Sequence, residues 1–221
     1  MKTLLKTVLL TFILHPSLSA QDINWRAKDS PRHLVAAGFG ADYNFYYNVS
    51  YGYLFRSGSI PAAVGTEFSL PFGSEIADDW KWRTSVQAEL WHRGNLSLSV
   101  RPAFILRRHA SPLARMYNVA ADVTVLWGYL KPKWGIMALA NYDGAIATHI
   151  KHRLLKESYP EITDGWYGKT GGNFKLGTRA NLSVKSWNVY FTAGKHFGQN
   201  FKDNPTLPFF LELAVQCPLG K

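Results

Sequence analysis

The chain has 221 residues, of which 47% are hydrophobic, 18% charged and 14% aromatic, and its formal charge is +10. That much apolar material with so few charges excludes a disordered chain. One cysteine, Cys217, excludes an intrachain disulfide and a cysteine-built metal site, and the scattered basic residues form no nucleic-acid-binding stripe.

The first 20 residues begin with Lys2 and Lys6 and continue into an apolar run, TVLLTFIL, from Thr7 to Leu14. His15-Pro16 breaks the run, and Ser17-Leu18-Ser19-Ala20 supplies small residues for cleavage. This is the pattern of a secretory signal peptide, and it is too short for a spanning helix. Residues 21–32 are expected to be a periplasmic N-terminal segment, and residues 33–217 the folded domain. No later stretch has 18 consecutive apolar residues. A transmembrane β-barrel would show alternation instead of such a run.

Alternation begins at once. From Val35 to Phe55 the odd positions are apolar, including Val35, Phe39, Tyr43, Phe45, Val49, Tyr53 and Phe55. One strand of that length would reach roughly 70 Å at about 3.3 Å per residue. A three-residue hairpin loop at Gly40-Ala41-Asp42 divides it in two and keeps the parity on both arms. Further period-two segments follow at 60–72, 80–90, 96–106, 117–129, 134–142, 174–184, 189–197 and 207–215. The 117–129 segment is the clearest: Tyr117, Val119, Ala121, Val123, Val125, Trp127 and Tyr129 lie on one face, with Asn118, Asp122 and Thr124 on the other. Ten strands result, with eight as the alternative.

The connections alternate between two kinds. Tight ones fall at 56–59, 93–95, 130–132 and 185–186; longer ones fall at 73–79, 108–115, 147–170 and 200–206. All the tight turns therefore share one end. Apolar-face aromatics gather near both strand ends, Trp127, Tyr129, Trp134 and Trp187 at one, Phe39, Phe72, Trp80, Trp82 and Tyr142 at the other. Amphipathic rings prefer membrane interfaces. A lipocalin-type soluble barrel would have to turn this bulky face inward, and a small barrel has no room for it.

The leader, the alternating segments and the turn asymmetry resemble the small bacterial outer-membrane β-barrel proteins. The resemblance covers 33–217 and is architectural. It implies an all-β, up-and-down antiparallel transmembrane barrel in the outer membrane, with both termini periplasmic. It also implies outer-membrane lipid, lipopolysaccharide and the barrel assembly machinery as partners. One departure is the C-terminus, which ends Cys217-Pro218-Leu219-Gly220-Lys221 rather than on the terminal aromatic that many such proteins carry.

On the inward face the alternation places Glu67, Lys81, Arg83, Glu89, Arg101, Asp122, Asp143, Lys175, Arg179, His196 and Glu212, together with Arg93, Arg107, Lys133 and Lys185. A charge in a narrow cavity needs a partner, so the first expectation is a bracing ion-pair network. A basic surplus also suits an anion-preferring cavity. The 147–170 loop holds His149, Lys151, His152, Arg153 and Lys156, a candidate contact for lipopolysaccharide phosphates. Ile146, Ile150 and Leu154 recur there at helical spacing. His149 and His152 alone make no metal site, and no cofactor or catalytic set is expected. The chain has no His-x-Ser pairing like that of barrel deacylases or phospholipases; Ser111 after His109 is the nearest arrangement. Gly168-Lys169-Thr170 lacks the glycine that a phosphate-binding loop needs at 163, which is Thr. Function is therefore expected to be a non-enzymatic channel, ligand-binding or structural role, with a lipid hydrolase or an adhesion or secretion component as alternatives.

Overall fold

The computed structural model describes residues 23–27, 32–42, 44–72, 78–198 and 207–219. The expected leader, residues 1–20, and Tyr43 of the first apolar row lie outside the described residues.

The strands are β1 (His33–Ala41), β2 (Phe45–Ser57), β3 (Ile60–Pro71), β4 (Trp80–Arg93), β5 (Leu96–Ala110), β6 (Ala114–Leu130) and β7 (Trp134–His152). A five-residue helix, α1 (Leu154–Ser158), follows. The chain then forms β8 (Gly165–Gly168), β9 (Gly172–Val184), β10 (Trp187–Phe197) and β11 (Phe209–Pro218). Each strand pairs antiparallel with its neighbour, and β1 pairs with β11 from Leu34↔Pro218 to Ala41↔Leu211. The ladder closes into a ten-stranded barrel; β8 stands outside the ring and pairs only with β7.

The alternation becomes an outside and an inside. Phe39, Phe45, Trp127, Trp187 and Phe191 are each at least half exposed, whereas Glu67, Glu89, Arg101, Asp122 and Gln216 are buried. Apolar side chains cover the outer wall, and polar ones fill the lumen. Two β-bulges reset the phase. One lies between Glu89 and Trp91, so Leu90 and Trp91 both face outward. The other inserts Ile146 into β7 opposite Val119 and Ala120.

Four expectations need correction. The first hairpin loop is 42–44 rather than 40–42, since Ala41 still pairs with Phe45. Asp42 and Asn44 make that turn, with the Asn44 side-chain oxygen accepting the Phe45 amide at 2.8 Å. The connection read as 108–115 shrinks to 111–113, because Arg107 to Ala110 stay paired with β6. Ser111 makes this turn compact by accepting the Ala114 amide at 3.2 Å. Strand β7 runs on to His152, so the helical spacing of Ile146 and Ile150 is a coincidence produced by the bulge. Arg93, Lys133 and Lys185 are exposed at the tight-turn rim rather than inward.

Those turns are built from left-handed residues. Gly58 (φ 61°) and Gly94 (φ 59°) open two of them, and Lys185 (φ 56°) opens a third. Inside, Gly177 and Gly194 leave room for one large ring. A Cβ on Gly194 would lie 2.6 Å from the Phe210 ring, and one on Gly177 2.8 Å from it. Phe210 packs with Leu126, Leu130, Met137 and Leu139 into an apolar block within the lumen. Phe210→Ala is expected to cost about 3 kcal/mol, because the glycine floor cannot collapse into the gap. Equilibrium urea unfolding measures it.

Candidate functional site

The lumen is the site, and it is organised in layers. At the tight-turn end, residues 23–27 enter it. Trp25 packs against the apolar block and also against Ile23, Leu34 and Ala63. Its indole N–H donates to the Ser99 hydroxyl at 2.9 Å, and Asn24 Nδ2 donates to the Lys131 carbonyl at 2.9 Å. Arg26 forks onto Glu89, Nη1 to Oε2 at 3.1 Å and Nη2 to Oε1 at 2.9 Å. Glu89 also accepts from Ser97 Oγ at 2.6 Å. A fully buried carboxylate thus finds its counter-charge in a segment 63 residues away in sequence.

At mid-height the long charged side chains meet. Arg83 pairs with Asp122. Glu212 accepts from Asn48 Nδ2 at 2.8 Å, and Glu67 accepts from Ser69 Oγ at 3.0 Å. Arg179 Nε donates to Thr192 Oγ1 at 3.0 Å, and Arg101 Nη2 to Thr124 Oγ1 at 3.4 Å. Glu67, Lys81, Arg83, Arg101, Lys175, Arg179 and Glu212 all line one central cavity of about 60 Å³. That volume holds a few waters. Asp122 and Asp143 are directly opposed on β6 and β7. Two carboxylates so placed repel, and each carries its own arginine, Arg83 and Arg107.

At the long-connection end a second set of charged groups gathers. Asp42 sits in the turn between β1 and β2, beyond the strand ends, and holds Lys175 and, at 3.6 Å, the His196 ring. Burial there opposes ionisation, but the charges of Lys175 and Lys81 outweigh it and keep Asp42 below the usual carboxylate range. His109 Nδ1 lies 2.9 Å from Asp79, and Arg108 lies 2.8 Å from Asp78. Two recesses of about 310 and 350 Å³ share Arg107, His109 and Asp143 as their common wall. The larger is walled by Phe45, Tyr46, Leu70, Pro71 and Trp80; the smaller by Met116, Asn118, Thr148, Ile150 and Thr170.

The five cations of the 147–170 segment do not share a face. His149 faces outward with its ring 5.2 Å from that of Trp166, and Lys151 and Arg153 are exposed. His152 turns the other way. Its backbone amide and ring both meet Asp164, at 2.8 and 3.0 Å, and Lys156 lies 3.7 Å from the same carboxylate. Residues three apart on a strand point to opposite sides, so His149 and His152 cannot hold one ion. Among the described residues no group of three or more His, Cys, Asp or Glu could hold a metal.

Three contributors escape a reading of the sequence. Trp25 and Arg26 precede the barrel and belong to no alternating segment. Asp42 reads as a turn residue. A faint signal for Arg26 exists: Glu89 faces inward, and its cross-strand partner is Ser99 rather than a base.

No protein-family model matches this chain, and no curated protein matches it.

Removing Arg26 leaves Glu89 buried beside Ser97 and the more distant His92 ring at 3.5 Å. Arg26→Ala is expected to destabilise the barrel by about 3 kcal/mol, and Arg26→Ala/Glu89→Gln to recover much of that loss. A double-mutant cycle in urea measures the coupling. At the rim, the His152 amide, assisted by the His152 ring and Lys156, holds the Asp164 carboxyl below its ordinary 3.8. The lower value belongs to the folded state. The contact is therefore fully present above about pH 4 and weakens as pH falls through the folded value. Hydrogen exchange at the His152 amide, corrected for intrinsic rate, should lose protection on acidification, and Asp164→Asn should remove that dependence.

Proposed function

We propose that this chain is a non-enzymatic outer-membrane β-barrel with a sealed lumen. Its roles are structural and ligand-binding at the recesses of the long-connection end rather than solute diffusion. The observation that carries the reading is the inversion of the fold. Large apolar side chains ring the outside, and the ionised ones are inside. A water-soluble monomer exposes apolar patches of a few hundred Å²; a continuous apolar wall with aromatic ends belongs against lipid.

The tight-turn end faces the periplasm in this reading. His33 and Pro218, the outer ends of β1 and β11, both lie at that end. The leader directs export, the barrel assembly machinery inserts the chain, and lipid and lipopolysaccharide surround it. The sealed lumen is supported by the small central cavity and by the apolar block and Trp25 beneath it. A lipid hydrolase has less support. His109 meets Asp79, but the Ser111 hydroxyl is engaged with Ala114 in its turn, and His196 is buried in the wall.

Two measurements test this. The protein is expected in the detergent-extracted envelope fraction, with a folded form that migrates differently from the boiled form in SDS gels. In planar bilayers it is expected to insert without stepwise conductance. Recovery of folded protein from a detergent-free soluble fraction would overturn the membrane reading; large ohmic steps would overturn the sealed lumen.

A further inference from the structure

The upper outer face of β5 to β8 carries an arrangement that the lumen does not use. Register places Arg108, Tyr117, His149 and Trp166 directly opposite one another across four neighbouring strands. Trp166 is 63% exposed. The Arg108 guanidinium lies 5.9 Å from the Tyr117 ring centre. This is a row of rings on the outer wall, near the end where β6 and β7 outrun β9.

Two residues further from the barrel centre on the same face, Arg115 of β6 and Lys151 of β7 are directly opposed. Directly paired residues have Cβ atoms roughly 5 Å apart, and like charges there destabilise the pair. Among the described residues neither has a carboxylate partner. Arg115 Nε is buried and meets no acceptor. The nearby loop carboxylate, Asp164, is taken up by His152 and Lys156. Two opposed cations without a counter-ion, above a row of aromatic rings, ask for an anion that carries an apolar body.

We propose that Arg115 and Lys151 hold the phosphate of a membrane lipid in the leaflet at the long-connection end, with Tyr117, His149 and Trp166 flanking the lipid just below its phosphate. A phosphate offers several acceptor oxygens and can bridge a guanidinium and an ammonium, turning their repulsion into attraction. The rings below sit at the depth where amphipathic aromatics are favourable. This site rests on the membrane reading above, and the experiment separates the two.

The full chain is purified in neutral detergent and incorporated into phosphatidylcholine nanodiscs containing a few mole per cent of phosphatidic acid, lipid A or diacylglycerol. Native mass spectrometry then counts the lipids retained after gentle release. Wild type is expected to retain phosphatidic acid and lipid A in preference to diacylglycerol. Arg115→Ala/Lys151→Ala is expected to reduce that retention about tenfold or more, whereas Arg93→Ala/Lys133→Ala at the opposite rim leaves it unchanged. Should the double variant fail to fold, Lys151→Glu gives Arg115 a carboxylate opposite it. That variant should fold, as read by gel mobility, and lose the phosphorylated lipids. Equal retention of diacylglycerol, or undiminished retention in the variants, overturns the site while leaving the membrane reading intact. Displacement by inorganic phosphate as effective as that by phosphatidic acid would show a soluble-anion site and overturn the lipid assignment. Failure to enter nanodiscs at all overturns both.

Discussion

Closure of the hydrogen-bond ladder governs this molecule. A sheet with open edges leaves a row of N–H and C=O groups with no partner, each costing several kcal/mol wherever water cannot reach it. Here β1 meets β11 along eight paired positions. Everything else follows from that ring. Its ten strands set the bore, and the bore decides which side chains can live inside. Period-two alternation then sends one face to the surroundings and the other to the lumen, all the way round.

A ten-stranded bore is slightly wider than one that short side chains can fill. The inward positions accordingly carry arginine, lysine, glutamate and tyrosine, which reach across it. Four of their acids are each met by a base. Asp122 has Arg83, Asp143 has Arg107, Asp42 has Lys175, and Glu89 has Arg26. Breaking any one leaves a buried charge behind, while the pair itself adds little net stability. The apolar block around Phe210 supplies the ordinary hydrophobic part of the filling.

Strand positions and facing were legible in the sequence because each residue's side is set by parity and by nothing distant. That rule groups the aromatics of β6 on one face; that this face is the outer one took its bulk as well, and eight strands stood as the alternative to ten. Where a residue was gained or lost, parity misleads. The extra residue at Ile146 moves Ile150 to the lumen and imitates a helical spacing. The polar run Arg107, Arg108 and His109 looks like a loop, yet its members are strand residues whose partners lie on other segments. Strand β8 carries too few residues to alternate visibly. Most lumen-facing charges could be named from parity, although Arg93, Lys133 and Lys185 prove to be exposed at the rim; the pairing depends on tilt and bore, which no local pattern encodes.

The inserted segment has a further consequence. Only residues 28–31 separate Ala27 from Arg32 at the foot of β1. A link of that length spans at most roughly 17 Å when fully extended. Trp25 and Arg26 are therefore tethered within that reach of the foot of β1. Their local concentration near the bore is high whatever their intrinsic affinity, on the order of millimolar. At that local concentration a contact with an intrinsic Kd of about 10 μM is occupied roughly 99% of the time.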